Sequence, residues 1–558
     1  MEQVYQYTHS PIVKRIFLAM LIPTVMMNLT TSIASMADSM IIGHYLDDSS
    51  LSVVTFAMPI FLVINALSAL FAVGGCIAMS IDTGKGNRDD ANRAFSTSIE
   101  LLVGTGMILL TAGLFFSHTV TRWLGAEPDV FDQVQVYARI IMMGAPLFTL
   151  STGLAFFVRN EGRATLSMVG MFSSIAADII LNFVFVGFMD MGVAGAAYST
   201  VAGRVVGVVI LLSHFFSKKN TLRFHFTLDG MVGRLVKNGG SAALQFVYQF
   251  AAVMVVNHLL TGLAGTDGVV VYTVVFNLAT VALSIFEGIS QTIQPMVGSY
   301  YGEKSYRKIR ETMRLAMFSI FIICGIMTLL LELWPRLVPM LFGIEDPNLI
   351  RQASLAVRIY AAGMMITTIN VVIGYYLQSI EQSFMAAVMV SLRSFVFFMG
   401  ALLILGKLFG INGIWASYAM AEVLTFLVCL FMIRCKRKKE AKAGIRMNIF
   451  LLDESVESGI KCFTCDCRND DFKGFPKTVS EYLRAGEYLA ELGKTITGKK
   501  GQYIEVELNQ SDGKAYIRDN LQHEDMSHVM DQNAAGNDKP EYGTVLGWNR
   551  LCVVIHKE

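Results

Sequence analysis

Apolar runs long enough to cross a membrane recur along most of this chain, separated by short polar loops. They fall near 16–42, 51–80, 96–117, 133–157, 164–188 and 192–216. A second set falls near 239–263, 268–298, 312–334, 352–378, 384–408 and 411–435. A hydrocarbon core of ~30 Å takes about 20 helical residues, so the pattern predicts twelve spans, several long enough to tilt or kink. Lys14 and Arg15 precede the first run as they would in a signal peptide, but the runs that follow it argue for a retained helix. Beyond Lys442 the period changes, and "YIEVELNQSDGKAYIRDN" and "LCVVIHKE" alternate as strands do. The predicted fold class is an all-α polytopic membrane protein with a small α/β cytoplasmic domain at 446–558.

Composition agrees with lipid as the solvent. The 558 residues are 54% hydrophobic and 16% charged, with mean hydropathy +0.51, 37 Phe and 32 Met. Few soluble domains carry so little charge. A net charge of +1 offers no global field for nucleic acid. The basic residues cluster in alternate loops: Lys85, Arg88 and Arg93; Arg159 and Arg163; Lys218, Lys219, Arg223 and Arg234; Lys304, Arg307, Lys308 and Arg310; and "CKRKKEAK". The remaining loops hold little beyond Arg122, Arg336, Arg351 and Lys407. The positive-inside rule puts both termini in the cytoplasm of a multi-pass plasma-membrane protein.

The two sets of six runs repeat each other. "LGAEPDVFDQVQVYARIIMMGAP" resembles "FGIEDPNLIRQASLAVRIYAAGMM", "MGVAGAAYS" answers "FGINGIWAS", and "GKGNRDDANRAF" pairs more weakly with "YYGEKSYRKIRETM". The offset is about 216 to 219 residues. Each copy holds an even number of spans, so the copies share one orientation, as in transporters that rock two lobes around a central site. The expected division is an N-lobe at 10–216, a linker at 217–238, a C-lobe at 239–436 and the tail domain.

Polar residues inside the spans are candidates for chemistry. Asp178 and Asn182 interrupt "SSIAADIILNFVFVGF" four residues apart, on one helix face. A carboxylate at mid-span costs about 2.5–3.5 kcal/mol on insertion scales, and such residues mark ion or substrate paths by default. Glu287 in "SIFEGISQ", Arg393 at the start of the eleventh run, Gln249 in the seventh and Asn28 near Pro23 are candidates for substrate contact or gating. Each also has a plainer reading as a packing or snorkelling residue.

Over residues 10–436 the chain resembles the multidrug and toxic compound extrusion (MATE) family. The likeness rests on "ADSMIIGHYL", "VRNEGRATLSM", "MGVAGAAYST" and "EGISQTIQPMVGSYYGEKSYRKI". It implies antiport: efflux of amphiphilic, often cationic compounds in exchange for Na⁺ or H⁺. It also adds Asp38 and Thr200 to Asp178 and Asn182 around an N-lobe cavity. Those oxygens suit Na⁺, and two neighbouring carboxylates could instead share a proton. The family's usual helix-five order, Asn then Asp, is reversed here. Its C-lobe acids, on helices seven and ten in one branch, are absent, since Gln249 stands in the seventh run and the tenth has no acid.

The end of the tail, "DGKAYIRDN" and "YGTVLGWNRLCVVI", resembles anti-sigma-factor and histidine-kinase-type ATPase domains with a degenerate nucleotide box. Glu491 and Thr495 stand where that family wants Glu and Asn, and Asp519 lacks the following glycine. No ATP binding and no other cofactor is expected, leaving a regulatory, docking or vestigial role for the tail, a cytoplasmic regulatory partner among them. "CFTCDC" brings three cysteines together but lacks the second tight pair of a zinc site. The expected function is a secondary exporter, not an enzyme, with amphiphilic small molecules and the bilayer as its partners. A lipid or lipid-linked saccharide flippase and a membrane-anchored signalling protein are the alternatives.

Overall fold

The computed structural model describes residues 10–45, 48–126, 128–217, 220–225, 230–342, 344, 346–442, 460–466, 486–495, 502–509, 514–521 and 541–554. Helices α1 (Pro11–Tyr45), α2 (Asp48–Lys85) and α3 (Arg88–Trp123) open the first half. Then come α4 (Phe131–Met143), α5 (Ala145–Asn160), α6 (Ala164–Asn182) and α7 (Gly192–Leu212). The second half holds α8 (Val232–Gly302), α9 (Tyr306–Leu333), α10 (Leu337–Leu341), α11 (Pro347–Ser379), α12 (Ser383–Ser391), α13 (Phe397–Phe409) and α14 (Ile411–Lys442). In the tail, α15 (Gly486–Lys494) accompanies β1 (Ile460–Asp466), β2 (Tyr503–Asn509), β3 (Lys514–Asp519), β4 (Glu541–Val545) and β5 (Trp548–Val554).

Among the described residues ten helices are long and apolar enough to span a membrane. The pair around Gly144, bent by 46°, makes up to eleven. The sequence predicts a fourth span at 133–157, and the structure bends it at Gly144. Pro146 has no N–H to continue the preceding turn, so α4 ends at Gly144 and α5 restarts. The predicted seventh and eighth spans run into one another as α8. Gln245 Nε2 nevertheless donates to Glu287 Oε1 at 2.8 Å, although a straight helix would hold residues that far apart in sequence about 60 Å apart. The element therefore doubles back into two legs. Phe115 and Ile108 of α3 stand 76% and 69% exposed, as side chains facing hydrocarbon should.

The repeat is written in the backbone as well as in the sequence. Left-handed residues recur in pairs: Gly86 (φ 87°) with Lys304 (55°), Gly162 (81°) with Glu381 (56°), and Gly192 (58°) with Gly410 (59°). Their spacing of 218 or 219 residues is the sequence offset, so the weaker pairing of 84–95 with 300–313 holds at the level of the turn.

The halves meet where α2 crosses the second leg of α8. A Cβ added to Gly84 would lie 2.0 Å from Ser299 O, and one added to Gly302 would lie 2.1 Å from Ile81 O. Each member of the first contact is 218 residues from its counterpart in the second, so the crossing is self-complementary about the pseudo-twofold axis. Only residues without Cβ let the two backbones come so near.

The tail is a five-stranded sheet in the order β1-β2-β3-β5-β4, with every neighbour antiparallel. Strands β2 and β3 lie within the predicted alternating segment 503–520, and β5 overlaps the start of the one at 551–558. Ser10, Gly84, Glu303 and Lys308 all touch this sheet directly, so the basic loops share one end of the bundle with it. That end is called the basic end below.

Candidate functional site

Among the described residues, three polar clusters within the bundle hold the candidate site residues. In the first half, Asp178 and Asn182 occupy the last turn and a half of α6 and are 6% and 1% exposed. Helix α7 closes over that face. A Cβ on Gly203 would lie 2.6 Å from Ser174 O and 2.9 Å from the Asp178 Cβ. Thr200 stands one turn away on α7, and its Oγ1 donates to Ala196 O at 2.9 Å. Immediately after Asn182 the chain widens into a π-turn, Phe183–Phe188, a deviation found often at functional sites. Asp38 lies on α1, which packs against both α6 and α7. Its side chain falls outside the described residues.

The second cluster is a cavity of about 310 Å³ in the second half, lined by residues of α8, α11, α13 and α14 and of the π-turn before α13. Glu287 enters it from α8 and accepts the 2.8 Å bond from Gln245. Gln249, exposed, lines the same wall. Arg393 sits in the π-turn Leu392–Val396 between α12 and α13. It does not snorkel: its Nε donates to Glu422 Oε1 at 2.6 Å, and Asn370 Nδ2 donates to Glu422 Oε2 at 2.7 Å. Tyr360 and Tyr418 stack with centroids 5.2 Å apart against this pair. With Arg393 matched by Glu422, Glu287 is the acid in the cavity lining outside that ion pair.

Glu422 is the residue that sequence reasoning missed. An acid within "SYAMAEVLTF" was signal enough, by the same rule that flagged Asp178. The second half thus has acids after all, carried by the eighth and twelfth runs instead of the seventh and tenth.

The third cluster joins the halves. Asn28 and Gln291 exchange amide hydrogen bonds at 3.2 and 3.3 Å, and Arg159 Nη1 donates to Gln291 Oε1 at 2.7 Å. Arg159 is only 2% exposed. Asn28 and Arg159 therefore tie α1 and α5 to α8 through Gln291. At the basic end Arg234 performs the same joining with charge. Its Nη1 donates to Asp82 Oδ2 at 2.5 Å and its Nε to Glu381 Oε1 at 2.7 Å, while Asn238 Nδ2 donates to Glu381 at 3.0 Å.

Burial alone would raise the pKa of Glu381, but the bonds from Arg234 and Asn238 outweigh it and hold the carboxyl below its ordinary 4.5. A depressed carboxyl contributes fully above its ordinary value and loses that contribution as pH falls through the folded value. The clasp therefore stays intact across physiological pH. Arg234→Gln is expected to lower stability at pH 7 by about 1 kcal/mol through its pair with Glu381, in which both side chains are part-exposed. That deficit should shrink as the pH drops below 4.5, and thermal unfolding in detergent at several pH values reads it. A deficit that grew on acidification would contradict the assigned role of Glu381.

Comparison with known proteins follows the same layout. The MatE family profile matches twice, over 23–184 and 239–402, with starts 216 residues apart. The multidrug export protein MepA of Staphylococcus haemolyticus (strain JCSC1435) is 24% identical over 442 residues, covering 78% of this chain and 97% of the relative. That of Staphylococcus aureus (strain NCTC 8325 / PS 47) is 23% identical over 445 residues, with the same coverage. Among solved structures, an outward-facing multidrug resistance MATE family transporter of the MOP superfamily superposes with TM-score 0.72 at 20% identity. The superposition covers 77% of this chain and 97% of that one. A MOP superfamily transporter from Pyrococcus furiosus gives 0.71 at 20% identity, covering 76% and 96%. With a duplicated profile covering more than half its length and a bundle of matching shape, this multi-pass membrane protein belongs to the MATE family of transporters.

Proposed function

We propose that the chain is a secondary antiporter that exports amphiphilic, often cationic, drugs or toxic metabolites from the cell in exchange for H⁺ or Na⁺. The observation that carries the cargo class is the second-half cavity. Its volume is that of a small-molecule site, its walls are largely aromatic and aliphatic, and Glu287 adds an acid, able to ionise against a bound cation, beyond the Arg393–Glu422 pair. Such a site favours a flat monocation over a neutral molecule of the same shape. The names of the staphylococcal relatives point the same way. Asp38, Asp178, Asn182 and Thr200 form the coupling site in an N-lobe at 10–216, and the C-lobe at 239–436 holds the cargo cavity. Counting the first leg of α8, the spans number twelve, the basic end is cytoplasmic, and both termini lie there in the plasma membrane.

The tail acts without nucleotide. Asp519 Oδ1 accepts from Leu521 N at 2.9 Å and from Asn549 Nδ2 at 2.8 Å, so the carboxylate is engaged in closing the turn after β3. Glu491 pairs with Lys494 within its own helix. Both features support a domain that couples to the transporter or to a cytoplasmic partner.

Glu287→Gln tests the cargo assignment. In proteoliposomes, the apparent affinity for ethidium is expected to fall about tenfold, equivalent to ~1.4 kcal/mol. That for a neutral amphiphile of similar size should be unchanged. Equal losses for both, or for neither, would remove Glu287 from cargo recognition.

A further inference from the structure

The family matches end at residue 402, and the sheet begins at Ile460. It is an addition to the transporter, yet it is built into the transporter's basic end. On the first half, Arg550 Nη1 donates to Gly84 O at 2.8 Å, and Ser10 Oγ donates to Glu505. The tip of the β4–β5 hairpin, Leu546–Gly547, rests on Gly162 in the turn between α5 and α6. Gly543 lies against the guanidinium of Arg88. On the second half, Lys308 Nζ bonds Glu505 at 2.5 Å and Glu507 at 2.6 Å. Ser305 Oγ donates to Glu507 at 2.6 Å, and Arg518 pairs with Glu303.

We propose that this sheet is a clamp across the two halves, an autoinhibitory brake that must leave the first half before the basic end can open. The proposal rests on the reading of the chain as a transporter whose halves part at that end. Three features carry it. First, the sheet touches both sides of the α2–α8 crossing, and Arg550 itself reaches Gly84 on one side and Glu303 on the other. Parting the halves while the sheet holds both would break those contacts.

Second, the interface is ionic and balanced. Glu303, Glu505 and Glu507 face Lys308, Arg518 and Arg550, all six 5% exposed or less. Buried ion pairs give little net adhesion but a strict register, because separating the surfaces returns every charge to water. Such an interface can release, whereas an apolar core would not. Third, Glu507 is held in its charged form by its partners in the network. Burial alone would raise the Glu507 pKa, but Lys308 and Ser305 outweigh it and hold the carboxyl below its ordinary range.

Two arms test the clamp in the full-length chain reconstituted in proteoliposomes, with ethidium as the transported probe. Arg550→Ala frees the contact with Gly84. It is expected to raise ethidium transport severalfold, and to raise by a similar factor the labelling of Ser299→Cys by a maleimide added from the basic end. In the second arm, Arg88→Cys and Gly543→Cys are joined by a short reducible cross-linker. Transport is expected to stop and to return on reduction, with Gly543→Cys alone as the control. The maleimide reading does not depend on which cargo is carried, so it distinguishes a failed clamp from a wrong choice of substrate. A folded Arg550→Ala chain with unchanged labelling or slower transport would overturn the proposal. So would a cross-linked chain that transports at the uncross-linked rate. Should Arg550→Ala not fold, the cross-linked pair decides.

Discussion

Asp178→Asn is expected to reduce gradient-driven efflux to the passive leak while leaving the folded protein at least as stable as its parent. Coupling needs a group that gains and loses one cation in each cycle, and an amide of nearly the same shape does neither. The stability half of the expectation separates the two readings of this residue. A buried carboxylate within a span carries an insertion cost of about 2.5–3.5 kcal/mol, so neutralising it should relieve the fold if its role is transport. If it were only a tie between α6 and α7, the melting temperature would drop with the activity. Near-normal uphill efflux by a well-expressed variant would remove Asp178 from the coupling site altogether. The reversed order on α6 adds a second readout. Asp178→Asn combined with Asn182→Asp should recover part of the efflux if the helix face alone matters, because both positions are buried and lie on one face of α6. No recovery would mean that partners on α1 or α7 fix where the charge must stand.

Gly84→Val should be nearly as damaging, for a reason that involves no charge. Its Cβ would fall 2.0 Å from Ser299 O, a backbone atom that cannot step aside. Overpacking of this kind costs about 1–3 kcal/mol. Transporter conformations differ by only a few kcal/mol, so that cost moves their ratio by about 5–150-fold. The closed basic end should become the minor state, transport should fall by a similar factor, and cysteines placed along α2 near Ile81 should become open to thiol reagents. Gly302→Val should do the same, because it is the symmetry mate of the same contact. Gly104→Ala is the control: nothing lies within 4 Å of its added Cβ, and it should transport like the parent. Parental transport by Gly84→Val would mean that the crossing of α2 and α8 does not close as tightly as the structure has it.

The number and order of spans were mostly legible because hydropathy is additive along the chain. Each residue contributes its own transfer free energy, and lipid imposes one length on every helix. The repeat was legible for a related reason, since equivalent turns need equivalent residues. The exception shows the principle: Lys304 and Glu381 adopt the left-handed backbone that Gly86 and Gly162 adopt in the first half, so two turns repeat where the side chains do not. The break at Pro146 was also written in the sequence and was passed over, because a window of hydropathy averages across it.

What the sequence could not show was which polar groups share a space. The Asp178–Asn182 pair was visible because both belong to one helix turn, and helical periodicity alone sets their face. The second-half cavity assembles Glu287, Arg393 and Glu422 from three segments separated by long stretches of chain, and no local period connects them. The same holds for Arg234, which reads as one more basic loop residue until the fold sets Asp82 and Glu381 on either side of it. The docking of the tail is the extreme case. Alternation predicts its strands, and pairing them follows, but Glu505 and Glu507 read only as charged strand positions. Lys308 beside them in space converts those positions into an interface, and sequence separation carries no trace of that. Transfer energies act on one residue at a time and are therefore readable in order; ion pairs, cavities and glycine crossings are properties of two or more distant residues, and only the tertiary structure brings them within range.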